Sequence, residues 1–200
     1  MTLTEIFQQI EDHCAIDIRF FDKLTEQGTP QNPKGVSLVF YDILPWEGAQ
    51  TLAISTENFG AQFCEFVYWL PWQQCSVESV TWEELDNSGC AVILTSEFTG
   101  CRLTITDRGI AHTSFHQGAG CDSFARDFAE WSDFVACGTA VVRRSIGDGG
   151  EHYGVAGLNS QMLAVGYKTM GNKWVIKEIS YSLGQRMSRR MRRKSYLYGG

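Results

Sequence analysis

The sequence predicts an α+β fold: a single domain that is mainly an antiparallel β-sandwich surrounded by helices and loops. Three observations predict it. About ten short runs carry strand chemistry, turn residues punctuate them, and only two stretches show the helical period. With 44% hydrophobic and 12% aromatic residues over 200 positions, the chain can bury one sizeable core, and no Pro/Gly/Ser-rich linker divides it.

The elements follow in order. Thr2 and Glu5 form a capping-box pattern, and Leu3, Ile6, Phe7 and Ile10 recur at helical spacing, which predicts a helix over 3–13. Ile16, Ile18 and Phe20 alternate with Asp17 and Arg19 as a strand, and further strands are expected over 36–41, 51–55 and 63–70. Residues 22–34 read as a loop that ends in Gln31-Asn32-Pro33-Lys34-Gly35. A second set of strands is expected over 90–95, 102–106 and 110–115, separated by Phe98-Thr99-Gly100 and Asp107-Arg108-Gly109. The period then changes: Phe124, Phe128, Trp131 and Val135 line one helical face behind the cap Asp122-Ser123. Strand chemistry returns over 139–143, 162–170 and 173–183, the last two joined by a tight Gly171-Asn172 turn.

Charge separates the chain into two parts, a body over 1–185 and a basic tail over 186–200. The net charge is -6, yet Arg186, Arg189, Arg190, Arg192, Arg193 and Lys194 supply six of the 17 basic residues. The rest carries 11 basic against 23 acidic groups, a net -12. Such a body is a poor match for a phosphate backbone, so no direct nucleic-acid contact is required; the tail alone has the charge for RNA, an anionic membrane or an acidic partner. The bland alternative for the tail is a solvated basic end. The amino terminus lacks a basic start followed by an apolar run, and no stretch approaches the ~20 apolar residues of a spanning helix, so a soluble protein without a signal peptide and without a membrane partner is expected.

Cysteine usage points to reduced thiols. The seven cysteines at 14, 64, 75, 90, 101, 121 and 137 include no CxxC pair, and their odd number leaves one unpaired, which favours a cytosolic working compartment. Scattered Cys and His without short ligand spacing make a poor zinc site, so no metal and no organic cofactor are expected.

Cys90 and His112 carry the sharpest chemical hypothesis. Asn87-Ser88-Gly89-Cys90 opens an apolar strand, and a cysteine attacks a carboxamide carbon once an imidazole takes its proton. Gly89 lets substrate approach the backbone, and Ser88 and Gly89 with the Cys90 amide form the expected oxyanion support. If 90–97 and 105–112 pair as one hairpin, Cys90 faces His112. If Asp107-Arg108-Gly109 is instead the turn of a second hairpin, Arg102 to Thr106 come between them. His116 shares the strand parity of His112 and is the reserve base; His13 and His152 sit in polar surroundings. Against all of this stands the common case, in which a buried cysteine and a strand histidine simply pack.

The Ser88-Gly89-Cys90 pattern resembles the Leu-Ser-Gly-Cys signature of bacterial glutamine deamidase toxins, the cytotoxic necrotizing factor-type catalytic domains that include the Burkholderia lethal factor group. Trp69-Leu70-Pro71-Trp72-Gln73 and the final Ile179-Ser180-Tyr181-Ser182-Leu183 are similar to segments of the lethal factor group in the same order, so the likeness spans most of 3–185. Two departures stand out: Asn87 replaces the usual leucine, and the 22-residue spacing from Cys90 to His112 is longer than in that family. The resemblance implies a β-sandwich wrapped by helices, with Cys90 as nucleophile, His112 as base and Thr81 as the residue that orients the imidazole. It implies a monomeric effector made in a bacterial cytoplasm and delivered to the host cytosol. There it would deamidate a glutamine of a host protein, such as the translation-initiation RNA helicase or a Rho-family GTPase. A primary amine in place of water would give transglutamination. Rival readings are a cysteine protease or acyl hydrolase with the same pair, and a non-enzymatic binding module that acts through its basic tail. Trp69 and Trp72 could rim a cleft, although packing is their ordinary role.

Overall fold

Residues 1–9, 16–21, 34–46, 49–73, 76–96, 98, 101–114, 128, 130–135, 140–144, 160–182 and 192–198 are described by a computed structural model. Strand dominates them. The elements are α1 (Leu3–Gln9), β1 (Ile16–Phe21), β2 (Gly35–Trp46), β3 (Ala49–Ser55), β4 (Phe63–Leu70), β5 (Val77–Thr81), α2 (Trp82–Asn87), β6 (Val92–Thr95), β7 (Arg102–Thr106), β8 (Gly109–Thr113), a π-helical turn (Trp131–Val135), β9 (Ala140–Arg144), β10 (Ser160–Lys168), β11 (Trp174–Ser182) and β12 (Arg192–Tyr198).

Two sheets result. An eight-stranded sheet has the order β1-β3-β2-β4-β6-β10-β11-β12, and a four-stranded sheet has the order β5-β8-β7-β9. Most ladders are antiparallel, as alternation predicts, but β1/β3 and β4/β6 are parallel. The larger sheet is covered on both faces around β4, β6 and β10, which explains why Val67-Tyr68-Trp69-Leu70 and Val92-Ile93-Leu94 read as unbroken apolar runs. On one face α1 sets Leu3, Ile6 and Phe7 against Val39, Leu52, Val67, Trp69, Val92 and Leu163. On the other, Tyr68, Leu70, Ile93, Ala164, Trp174 and Ile176 meet Val80, Leu103, Ile105 and Ile110 of the smaller sheet, with Trp82 and Leu85 of α2. Each fully buried Val, Leu, Ile or Phe among them contributes about 1.5–3 kcal/mol. Gly166 is required between them, since a Cβ there would overlap the Ile176 side chain and lie 2.6 Å from a side-chain carbon of Ile93. Lys177 ties the layers at α1, donating from Nζ to the Phe7 carbonyl near the end of that helix.

Several expectations change. The helix expected over 3–13 is described over Leu3–Gln9, and its remainder lies outside the described residues. Of the helix expected behind Asp122-Ser123, the described part buries Glu130 and Phe134 and leaves Phe128 and Trp131 more than half exposed. Phe128 and Trp131 therefore do not face the core; Glu130 does, and its carboxylate accepts from Arg102 and Thr104 on β7. The charge pattern predicts a tail past 185, but Arg192–Tyr198 pairs along β11 as the outer strand of the larger sheet, with Lys194 opposite Glu178. The predicted Gly171-Asn172 turn is present between β10 and β11, with Asn172 at φ 61°. Trp69 is core on the α1 side rather than the rim of a cleft.

Candidate functional site

The segment that presents Cys90 is built from two caps. Thr81 ends β5 and caps α2: its Oγ1 accepts the Glu84 N–H at 3.1 Å, while the Glu84 carboxylate accepts the Thr81 N–H at 2.7 Å. The Thr81 hydroxyl also donates to that carboxylate at 2.9 Å. Its role is thus to start a helix, and it is not the residue that holds the imidazole. The helix ends where Ser88 N–H donates to the Glu84 carbonyl and the Ser88 hydroxyl donates to the Leu85 carbonyl at 2.6 Å. Gly89 then takes φ 74°, a left-handed conformation that favours a residue without Cβ.

This turn delivers Cys90 to the head of β6. Its N–H donates to Ser88 Oγ at 3.1 Å, so the amide expected to receive an oxyanion is engaged by the neighbouring serine in this arrangement. The side chain is 5% exposed and packs in the cluster between the sheets. Burial pushes the thiol pKa up; the Ser88 contact pulls it down, and the charge of Glu65 pushes it up further. Tyr68 lies within electrostatic reach. Burial raises its phenol pKa, and the charges of Glu84, Cys90 and Glu78 add to the rise. Cys90 therefore rests as a thiol, within electrostatic reach of the protonated Tyr68 phenol.

His112 belongs to the other sheet. On β8 it stands opposite Glu78 of β5 and Leu103 of β7, and the Asp107-Arg108 turn closes β7 onto β8 with Thr106 Oγ1 accepting the Arg108 and Gly109 amides. That turn makes the second of the two hairpins the sequence allows. The first is not formed, because β6 pairs with β4 and β10 in the larger sheet. The imidazole is fully buried, stacks on Phe98 with centroids 3.8 Å apart, and has Nδ1 3.3 Å from Ser96 Oγ. Its Nε2 has no hydrogen-bond partner among the described residues, and burial pushes its pKa down to about 3.

Cys90 and His112 are therefore not a bonded pair. Cys90 precedes β6, whereas Ser96, which holds the imidazole, follows it. The ladder to β10 extends back to Ala91, and at ~3.3 Å per extended residue the stretch from Ala91 to Ser96 spans about 16 Å. His116 lies outside the described residues. Sequence reasoning missed Tyr68, Ser96 and Phe98. The parity of Tyr68 with Leu70 on β4 is a signal that could have found it; nothing local marks the other two.

Among the described residues no group of three His, Cys, Asp or Glu side chains could hold a metal ion, and no helix is long and apolar enough to cross a membrane. No protein-family model matches the chain, and no curated protein matches it in sequence.

Proposed function

We propose that the chain is a cysteine-dependent hydrolase of carboxamides, a bacterial effector that converts a glutamine side chain of a host protein to glutamate. The observation that carries this reading is the Ser88-Gly89 turn, which closes a capped helix and sets a cysteine at the head of a central strand where two sheets meet. The order of the Trp69-Leu70-Pro71-Trp72 segment, this turn and the final Tyr181 strand supports it.

In the proposed reaction Cys90 Sγ, as thiolate, attacks the carboxamide carbon, and the C–N bond breaks as ammonia leaves with a proton from an imidazolium. Water, deprotonated by the same imidazole, then cleaves the thioester to glutamate and free thiol. No metal or organic cofactor enters these steps. The proton carrier is His112, after it leaves Ser96 and Phe98, or His116. The proposed partner is a host protein of the host cytosol; the resemblance gives the translation-initiation helicase or a Rho-family GTPase as targets.

A second reading has a specific observation behind it. A buried, protonated Cys90 and an imidazole held elsewhere suit a binding module in which both residues pack. Peptide mass spectrometry of host lysate treated with wild type and with Cys90→Ser separates the two. The hydrolase gives a glutamine-to-glutamate conversion with wild type alone. Conversion by both proteins removes Cys90 from the chemistry, a cut peptide bond means a protease, and no conversion favours the binder.

A further inference from the structure

We propose that the substrate polypeptide is held as an added strand along the outer edge of β5, with alternate apolar side chains resting on Val36, Leu38 and Phe66. The inference rests on the hydrolase reading only for naming the occupant a substrate.

The edge is defined by the β5/β8 ladder. Ser114 N–H donates to the Ser76 carbonyl and Trp82 N–H to the Arg108 carbonyl, so residues of even number on this stretch hydrogen-bond with β8. In an antiparallel ladder the intervening residues, Val77 and Ser79, direct their backbone groups outward. Among the described residues β5 pairs with β8 alone. The Ser79 carbonyl accepts Lys34 Nζ at 2.9 Å, which agrees with the outward direction and shows the edge clasped by a displaceable lysine.

Beside this edge lies an uncovered apolar floor. Val36 is opposite Tyr68 and Leu38 opposite Phe66, so all four share the sheet face that the smaller sheet covers farther along. The cover ends at β5: Val36 is 52% and Phe66 61% exposed, although Tyr68 beside them is buried. A strand added to β5 would extend the cover over this floor, and its two-residue repeat would bring every second side chain down onto it. The floor leads through Tyr68 to Cys90.

Charge fixes the chemistry of the occupant. Asp42 shares the face, Glu78, Glu83 and Glu84 stand on β5 and the adjoining α2, and Lys34 sits 4.0 Å from Glu78. This excess of carboxylates selects an extended segment in which basic residues alternate with apolar ones.

The test uses full-length Cys90→Ser protein, so that binding is read without turnover. The probe is a fluorescent peptide of alternating valine and lysine with a central glutamine, followed by anisotropy, with a glutamate-for-lysine peptide as its counterpart. Ser79→Pro removes an outward N–H while sparing the β8 ladder, and Phe66→Asp places a charge on the floor. The lysine peptide should bind, each variant should weaken it by about tenfold or more while melting as the parent does, and the glutamate peptide should bind worse. If Ser79→Pro does not fold, Leu38→Asp takes its place. Equal binding by parent and variants, or no binding of the lysine peptide, overturns the groove. Groove binding without glutamine conversion in lysate overturns the hydrolase reading alone, and conversion unaffected by Phe66→Asp overturns the groove alone.

Discussion

Ser96 Oγ lies 3.3 Å from His112 Nδ1, at the end of β6 opposite Cys90, and this contact fixes where the imidazole can act. An imidazole with its pKa at about 3 is a poor proton acceptor, so catalysis through His112 requires the ring to leave Phe98 first.

The same burial predicts acid sensitivity. The folded pKa is about 3 and the unfolded value about 6.5, so between them the unfolded chain binds the extra proton. The contribution is fully present above the unfolded pKa and is lost as pH falls toward the folded one. The urea midpoint should therefore be lower at about pH 5 than at about pH 7.5. His112→Phe should reduce that difference. An unchanged difference would show that other groups dominate.

Arg102 and Glu130 form a buried ion pair on the opposite face of the smaller sheet, with the Thr104 hydroxyl donating to the same carboxylate. Glu130→Ala leaves a buried guanidinium without this carboxylate and should cost about 3–5 kcal/mol. Glu130→Gln, which keeps an oxygen for Thr104, should cost less. Chemical denaturation of both variants measures the order.

Legibility in the sequence follows the range of the interactions involved. Asn172 in its tight turn and the alternating strands β10 and β11 depend on neighbours in sequence, and both are readable. The helix α2 is also written locally, as Thr81 followed by Glu84 at the capping-box spacing, but six residues are too few to show a period. Placement of β6 is not readable: its parallel partner β4 is distant in sequence, whereas hairpin arithmetic assumes that successive strands pair. The spacing of Phe128 and Trp131 misleads because the side chain buried between them is Glu130, which a distant partner, Arg102, holds. For the site, the Ser88-Gly89 turn can be foreseen from residue types, while the commitment of His112 to Ser96 arises only from packing one sheet on another.

Two glycines should respond differently to alanine. Gly89 has φ 74° with no atom within 4 Å of where a Cβ would stand, so Gly89→Ala should cost only the left-handed strain of about 1–2 kcal/mol. At Gly109 a Cβ would overlap the Val80 carbonyl oxygen and lie 2.7 Å from Thr81 Cα. Backbone cannot yield as a side chain does, so Gly109→Ala should lose about 4 kcal/mol or more and separate β5 from β8. Equal melting temperatures for the two variants would contradict this packing.

Thiol labelling tests the resting state of Cys90, the proposed nucleophile. Cys64 is exposed on β4, whereas Cys90 is 5% exposed and burial raises its pKa. Alkylation proceeds through the thiolate and needs access, so both factors slow Cys90. With limiting iodoacetamide near neutral pH, peptide mapping should show Cys64 modified at least several-fold sooner, and denaturant should remove most of the difference. If Cys90 labels first in the native protein, its thiolate is already formed and reachable, and the protonated resting state is wrong. If it lags as expected, the proposed hydrolase needs activation by its substrate, with a segment seated beside Tyr68 opening the cluster and bringing a base to the sulfur, whereas the binder reading needs no such step.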